Sequence, residues 1–467
     1  MYKNSLVYLG GFLLLLSILS FFNILYSYYF NLYLSLKSYF FPLIISLLLG
    51  LFFIIYKFDN FKLNSINKIF FVITGYFIFP IIISLPYYLS IYNISFLNSY
   101  FEAVSGFTST GFSIFNNIKH IDQSLIIWRS TSQWIGGLYF LFSIIVLIDV
   151  FDKNLKNSLT NFLSFNSSEF LKQLIKVFIL YIVLTIVIFL LLKLINFRNF
   201  DAFNFSLTII SSGGFKPVND INYILNKDYK IIIFSITLLF SFFSIFFTYN
   251  ILFYKKRNLN FFTEDFYLIV YFIILIFLFF IFFNENNFSY VFLSICSSIS
   301  NIGIYFTSEE TNLYFVYFLM VIIGGSFFST SSGIRLFKIY TLLKFSINEL
   351  LSHTKPKQVM VSKVIFDENK VDYDVINKYF LSILIFILSL TAISSLLSLS
   401  GINFKDSFKL GILTIMNTVN SSIYNIEYFD FMNLNLSSKI FIIIFMIIGR
   451  VEFLALILLF KKYLFKN

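Results

Sequence analysis

Long apolar runs separated by short polar stretches dominate the chain. Ten runs approach the length of about 20 apolar residues that a helix needs to cross a bilayer core. They lie near residues 5–29, 38–57, 69–92, 125–150, 170–195, 229–254, 264–284, 312–340, 376–400 and 437–463. The polar stretches between them alternate in character. Lys57, Lys62 and Lys68 follow the second run, Lys153 and Lys156 the fourth, and Lys255, Lys256 and Arg257 the sixth. Residues 335–378 hold Arg335, Lys338, Lys344, Lys355, Lys357, Lys363, Lys370 and Lys378, and Lys461, Lys462 and Lys466 lie in the tail. These stretches are in phase. The positive-inside rule therefore puts them all on the cytoplasmic side, and an even number of spans puts both termini there.

The opposite loops, roughly 93–124, 196–228, 285–311 and 401–436, carry few basic residues and are moderately apolar. They read "SYFEAVSGFTSTGFS", "DAFNFSLTIISSGGFKP", "FSYVFLSICSSISNIGIYFTS" and "FKLGILTIMNTVNSSIYN". Each holds an apolar segment too short to span, then breaks into small or hydroxylated residues. Three break at a glycine: Gly111, Gly213 (or Gly214) and Gly303. The pattern predicts a short helix that enters the membrane and returns as extended chain. Such backbone is tolerated at membrane depth only when buried in protein or lining water. Four recurrences predict four helix–loop–helix units about one axis. Short helices aiming their C-terminal ends at one centre present partial negative charge there, and the tract after each offers carbonyls that can replace a monovalent cation's water shell. Glycine suits such a tract because turning carbonyls toward one axis needs backbone angles that a β-carbon obstructs.

Composition sharpens this reading. The chain is 58% hydrophobic and 12% charged over 467 residues, more apolar than a soluble domain of that size can bury. The first run, from Leu6, is too long for a signal-peptide core and has no A-x-A site after it, so it is expected to be retained. A single cysteine, Cys296, excludes internal disulfides and cysteine metal clusters; His120 and His353 are too few and too far apart for a zinc site and read as surface residues. The net charge of +11 comes from lysines scattered between spans, which argues for basic flanks and against a nucleic-acid surface.

Several stretches resemble a known family. "FEAVSGFTSTGFS" is similar to the first pore loop of the Trk/Ktr/HKT superfamily of potassium transporters, and "WRSTSQWIGGLYFLF", from Trp128, to the helix after it. "IIGGSFFSTSSGIRLFK", from Ile322, resembles the glycine-rich break in the third repeat's second helix; "VSKVIFDENKVDYDVI", from Val361, the segment before the fourth repeat; and "FMIIGRVEFLALILLF", from Phe445, the last helix. Two extra N-terminal spans fit the ten-span Trk branch, whose membrane (pore) subunit this chain resembles. The resemblance implies an all-α integral membrane protein. Residues 1–64 would form two N-terminal helices, 65–155, 165–257, 262–345 and 376–467 the four pore repeats, and 346–375 a cytoplasmic segment. It further implies potassium uptake through the inner membrane, with potassium as substrate and no cofactor. A homodimer, each protomer with its own pore, and a cytosolic ring of nucleotide-binding regulatory subunits are also implied.

On this reading the filter oxygens come from Thr110–Gly111, Ser212–Gly213, Ile302–Gly303 and Val419–Asn420. The family's fourth loop usually carries a glycine where this chain has Asn420; the third has Asn301 and Ile302 in place of hydroxyls; and Phe327 and Phe328 stand where the glycine-rich break usually has small residues. A weakly selective sodium/potassium transporter, or a non-conducting sensor on the same scaffold, is therefore the alternative. The segment Gly324–Gly333, with Gly325, Ser326, Ser329, Thr330, Ser331 and Ser332, breaks an apolar run and reads as a movable constriction or a fixed kink. Arg450 lies inside an apolar helix, where a charge costs about 2.5–3.5 kcal/mol, and the resemblance places it against that break as part of a gate. Pairing with Glu452 or snorkelling is the other account. Glu102 suits a helix N-terminus or an ion-attracting role; Glu309 and Glu310 stand near the outer mouth; Lys216 follows the second loop with Asp220 as a candidate partner; Arg129 and Gln133 suit packing or dimer contacts. No nucleophile–base pair, acid pair or metal set is visible at membrane depth, which argues against an intramembrane enzyme.

Overall fold

The computed structural model describes residues 5–55, 65–151, 170–222, 224–253, 263–282, 288–305, 314–354, 363–364, 367–370, 373–426 and 429–451. The positions expected of Glu309, Glu310 and Glu452, and much of the basic flanks, lie outside the described residues. Among the described residues, seven helices are long and apolar enough to cross a membrane: Val7–Tyr29, Lys37–Ile55, Asn67–Tyr88, Gln123–Ile148, Lys172–Leu194, Thr263–Ile281 and Val375–Leu399. The tenth expected run is helical over Leu436–Arg450.

The other two expected spans are interrupted. The run 312–340 is helical over Tyr314–Ile323 and resumes at Leu336–Thr354, as its glycines and serines suggest. The run 229–254, read from sequence as one helix, is instead two, Asp228–Leu238 and Ile245–Phe253. The residues between them are Leu239, three phenylalanines and two serines, which leave the apolar pattern intact, so hydropathy is blind to this break. The freed backbone is satisfied tertiarily: Ser326 N donates to Phe242 O at 3.0 Å, Ser331 N to Ser241 O at 3.1 Å, and Ile245 N to Phe328 O at 3.2 Å. The two broken helices thus brace each other. A small antiparallel hairpin, Lys363–Val364 with Asp367–Lys370, departs from the otherwise helical fold.

Each of the four loops poor in basic residues holds a helix of 12 residues: Phe96–Phe107, Asn199–Ile210, Phe288–Ile299 and Phe404–Ile415. Twelve residues rise about 18 Å, well short of the ~30 Å hydrocarbon core, so these helices end at mid-depth. The span Gln123–Ile148 is buried along its length, whereas about a third of each of Val7–Tyr29, Lys172–Leu194 and Val375–Leu399 is buried, leaving the rest for lipid. Its burial follows from its neighbours: the N-terminal helix, the helix Ser65–Tyr88, and the first two short helices all pack on it.

Glycines set the closest approaches. A β-carbon on Gly10 would lie 2.9 Å from Gly50 O, so the two N-terminal helices cross backbone to backbone. A β-carbon on Gly136 would lie 1.9 Å from Phe107 O, and one on Gly449 would lie 2.1 Å from Ile415 O. Phe107 and Ile415 are the last residues of the first and fourth short helices, so the first and fourth units seat their short helix on the following span in the same way. Lys439 Nζ closes the circle, donating to Asn98 Oδ1 at 2.7 Å between the last described span and the first short helix. Gly136→Val and Gly449→Val are each expected to destabilise by at least ~1–3 kcal/mol through overpacking, seen as a lower melting temperature of the detergent-purified protein. Gly11→Val, where a β-carbon meets nothing within 4 Å, serves as the neutral control.

Candidate functional site

A helix that stops in the middle of a membrane protein leaves its last carbonyls without water to bond. All four short helices resolve this alike. Two residues past each helix end the chain turns left-handed: Ser109 (φ +56°), Ser212 (+57°), Asn301 (+60°) and Asn417 (+47°). The amides of these residues reach back to Gly106 O, Ile209 O, Ser298 O and Thr414 O. The next amides, of Thr110, Gly213, Ile302 and Thr418, reach Ser105 O, Thr208 O, Ser297 O and Leu413 O at 2.7–3.2 Å. This is a Schellman closure, made four times with Ser or Asn where glycine is usual.

Three of those side chains explain the choice. Ser212 Oγ donates to Ser300 O at 2.5 Å. Asn301 Nδ2 reaches Thr418 Oγ1 at 3.1 Å and Val321 O at 3.1 Å. Asn417 Nδ2 reaches Thr110 Oγ1 at 3.0 Å and Met446 O at 2.9 Å. Loop two is thus tied to loop three, three to four, and four to one. The loops follow one another in a ring, with two opposite four.

The shared register carries Gly111, Gly214, Gly303 and Val419 to the residue four past each helix end, and they converge. A β-carbon on Gly111 would lie 2.9 Å from Gly214 Cα, and one on Gly303 2.4 Å from Val419 Cγ1. A β-carbon on Gly214 would lie 2.5 Å from Val419 Cβ and 2.9 Å from Ile302 O. Gly111 and Gly303 are left-handed (φ +82° and +73°), which a side chain would strain; Gly214 and Val419 are not. Loops opposite each other therefore share a backbone form.

Two of the expected pairs shift by one residue in this register. In loop two Ser212 is the cap, and Gly213 turns outward, where a β-carbon would lie 2.2 Å from Gln133 Oε1; the ring glycine is Gly214. In loop four the ring position is Val419, and Asn420 is one beyond it. The left-handed residue sets the count, and sequence alone does not show where it falls.

The segment Gly324–Gly333 is a closed excursion. Gly324 and Gly333 are left-handed and nearly touch, since a β-carbon on Gly333 would lie 2.5 Å from Gly324 Cα. Ile334 N bonds Ile322 O at 2.9 Å across the base. The tip reaches the second short helix, where Thr330 Oγ1 donates to Ile210 O at 2.7 Å. Arg450, fully buried, donates to Thr330 O at 3.0 Å, Ser332 Oγ at 2.7 Å and Ser211 O at 3.4 Å, with its guanidinium 4.2 Å from the Phe140 ring centre. It clips the excursion to the base of loop two. Gly325 is pressed against Phe242 O. Ser329 Oγ bonds Ser326 O, and Arg335 Nη1 donates to Ser326 O at 2.6 Å. Phe327 and Phe328 are buried against Phe337 and Phe246.

Sequence reasoning passed over a carboxylate pair at the start of the span Thr263–Phe282. Glu264 accepts from Phe327 N at 2.9 Å and Ser326 Oγ at 3.0 Å; Asp265 accepts from Ser244 N at 2.9 Å and Ser244 Oγ at 2.8 Å. They pin both helix breaks. The available signal was the pair of adjacent acids opening an apolar run. Glu102 is not a cap, since Ser95 caps that helix. It is buried, paired with Arg129 Nε at 2.8 Å, and accepts from Ile114 N at 2.8 Å, so it holds the strand leaving loop one. Arg129 lies 4.1 Å from the Phe215 ring centre, and Gln133 Oε1 accepts from Phe215 N at 3.3 Å. The side chains that sequence placed at packing or dimer contacts brace loops one and two. Asp220 serves its own turn through Asn222 N at 2.9 Å. His120 and His353 are exposed. Among the described residues no group of three His, Cys, Asp or Glu could hold a metal.

Residues 304–466 match the family model for TrkH, described as a cation transport protein. The whole fold superposes on the crystal structure of the potassium transporter TrkH from Vibrio parahaemolyticus with a TM-score of 0.78, covering 98% of this chain and 99% of that one at 20% identity. The chain is thus similar to the Trk-type family of membrane subunits, in sequence over residues 304–466 and in fold over nearly its whole length. This is a family of membrane ion transporters, not of enzymes. Two relatives are distant but matched over most of their length. The chain is 25% identical over 411 residues to the "Uncharacterized cation transporter MJ1485" of Methanocaldococcus jannaschii, covering 82% of this chain and 80% of that protein. It is 22% identical over 440 residues to the Trk system potassium uptake protein TrkG of Escherichia coli K12, covering 88% of each.

Arg129→Leu strands Glu102 without its counter-charge and is expected to cost ~3–5 kcal/mol, read as a fall in melting temperature. The double variant E102L/R129L should recover most of that loss.

Proposed function

We propose that this Trk-type chain carries monovalent cations, potassium first among them, across the inner membrane, with both termini in the cytoplasm. The single observation that carries the reading is the quadruple closure: four 12-residue helices ending at mid-depth, each capped by the same two backbone bonds, delivering three glycines and Val419 to one ring. The units 65–155, 165–257, 262–345 and 376–467 act as the four quarters, with 1–64 as an N-terminal pair and 346–375 as the segment before the last quarter. Carbonyls of Thr110–Gly111, Gly213–Gly214, Ile302–Gly303 and Thr418–Val419 take the place of the ion's water. Four helix C-termini aimed at the ring add negative potential.

Below the ring, the excursion from Gly324 to Gly333 is the gate, and Arg450 is its clip. Arg450 both anchors Thr330 and Ser332 and sets a positive charge against cation passage. A homodimer with a pore in each protomer, seated on a cytosolic ring of nucleotide-binding subunits, is the assembly proposed. A weakly selective or non-conducting form of the same scaffold is the second reading, favoured by the side chain at the fourth ring position.

In a host stripped of its own potassium uptake, the chain is expected to restore growth at limiting potassium. Gly111→Val should abolish that, because a β-branched side chain strains the left-handed backbone there and its β-carbon would lie 2.9 Å from Gly214 Cα. Growth undiminished by Gly111→Val in normally inserted protein would sink the filter reading. Arg450→Gln removes a charge-assisted anchor worth ~1.5 kcal/mol or more, and is expected to raise initial uptake by up to about tenfold.

A further inference from the structure

We propose that Val419 is an apolar plug in the ring, and that its isopropyl group, rather than the oxygens, sets the conduction barrier. This deepens the filter reading above and rests on it. The lateral bonds put loop four opposite loop two, so a β-carbon built on Gly214 points across the ring. The atom it meets is Val419 Cβ, at 2.5 Å, with Val419 Cγ2 at 3.0 Å. From the adjacent loop, a β-carbon on Gly303 would lie 2.4 Å from Val419 Cγ1. One side chain therefore occupies the space that two of the glycines leave open. No left-handed φ is required at Val419, so the backbone accommodates valine there, unlike at Gly111 or Gly303.

The consequences are physical. The ring keeps its peptide oxygens, with Ile302 O 2.9 Å from the β-carbon position of Gly214 and Val419 O 3.0 Å from that of Gly303. An ion arriving there must still displace a methyl-bearing group that offers no ligand. Valine is stiff about χ1, so the plug clears by movement of loop four rather than by side-chain rotation. Such movement strains the Asn417 anchors on Thr110 and Met446. An apolar constriction also disfavours water and hence hydrated ions. Asn420, one residue on, is not among the atoms nearest the β-carbon positions of the ring glycines.

Rubidium flux into proteoliposomes holding the purified full chain tests this. Val419→Gly is expected to raise flux about tenfold or more, Val419→Ala less, and Val419→Phe to leave it at or below that of the unaltered chain. Asn420→Gly should stay within about twofold, since it leaves the plug in place. Gel-filtration profile and melting temperature report folding, and Val419→Ala carries the test if Val419→Gly does not fold. Flux in the glycine and alanine variants no faster than in the unaltered chain, with Gly111→Val still abolishing it, overturns the plug and leaves the filter standing. A gain in Asn420→Gly that Val419→Gly lacks overturns it as well. Flux indifferent to Gly111→Val overturns the filter and the plug together.

Discussion

Everything in this molecule turns on backbone groups that end where there is no water. A short helix stopping at mid-membrane strands its last carbonyls and the peptides that follow, and each such group left unbonded costs several kcal/mol. The protein meets that demand four times with one device: a left-handed residue whose amide and that of its successor fold back on the helix end. Once those bonds are made, the next peptides have one direction to run, toward the centre. The convergence of Gly111, Gly214, Gly303 and Val419 is thus a by-product of satisfying helix ends.

The same demand explains the polar side chains buried around the ring. Asn301 and Asn417 at the caps supply amides to the neighbouring loop and to carbonyls of the surrounding helices, so their strained backbone is held by several bonds at once. Glu102, Arg129 and Gln133 do this for the strands leaving loops one and two. Glu264 and Asp265 do it for the two helix breaks beneath. Charges that a bilayer penalises are tolerated because the three acids accept from backbone amides, while Arg129 supplies the counter-charge of Glu102. Arg450 belongs to this set, but it bonds an excursion rather than a fixed loop: its three partners lie on Thr330, Ser332 and Ser211. A guanidinium bridging two separate elements is the contact that the proposed gate would make and break.

Much of this was legible beforehand. Apolar run length predicted the spans, and the recurrence of small and hydroxylated residues in alternate loops predicted the short helices. Gly324 and Gly333 announced their own break. What stayed hidden has identifiable causes. The break between Leu238 and Ile245 is made of residues as apolar as the helices beside it, and only its bonds to the excursion reveal it. Arg129 and Glu102 lie 27 positions apart, and no local pattern pairs them.

The sequence by itself determined how many times the chain dips into the membrane, which loops turn back, and which residue types gather at the turn, because length, hydropathy and glycine are local quantities. Only the tertiary structure decided the register. Gly213 and Gly214 are indistinguishable as letters, as are the claims of Val419 and Asn420. The choice is made by where the left-handed residue falls after each helix, and that depends on bonds between loops about 100 residues apart in the chain, such as Asn301 to Thr418. Which side chain meets the axis is a property of the closed ring, and a ring exists only once all four quarters are in place.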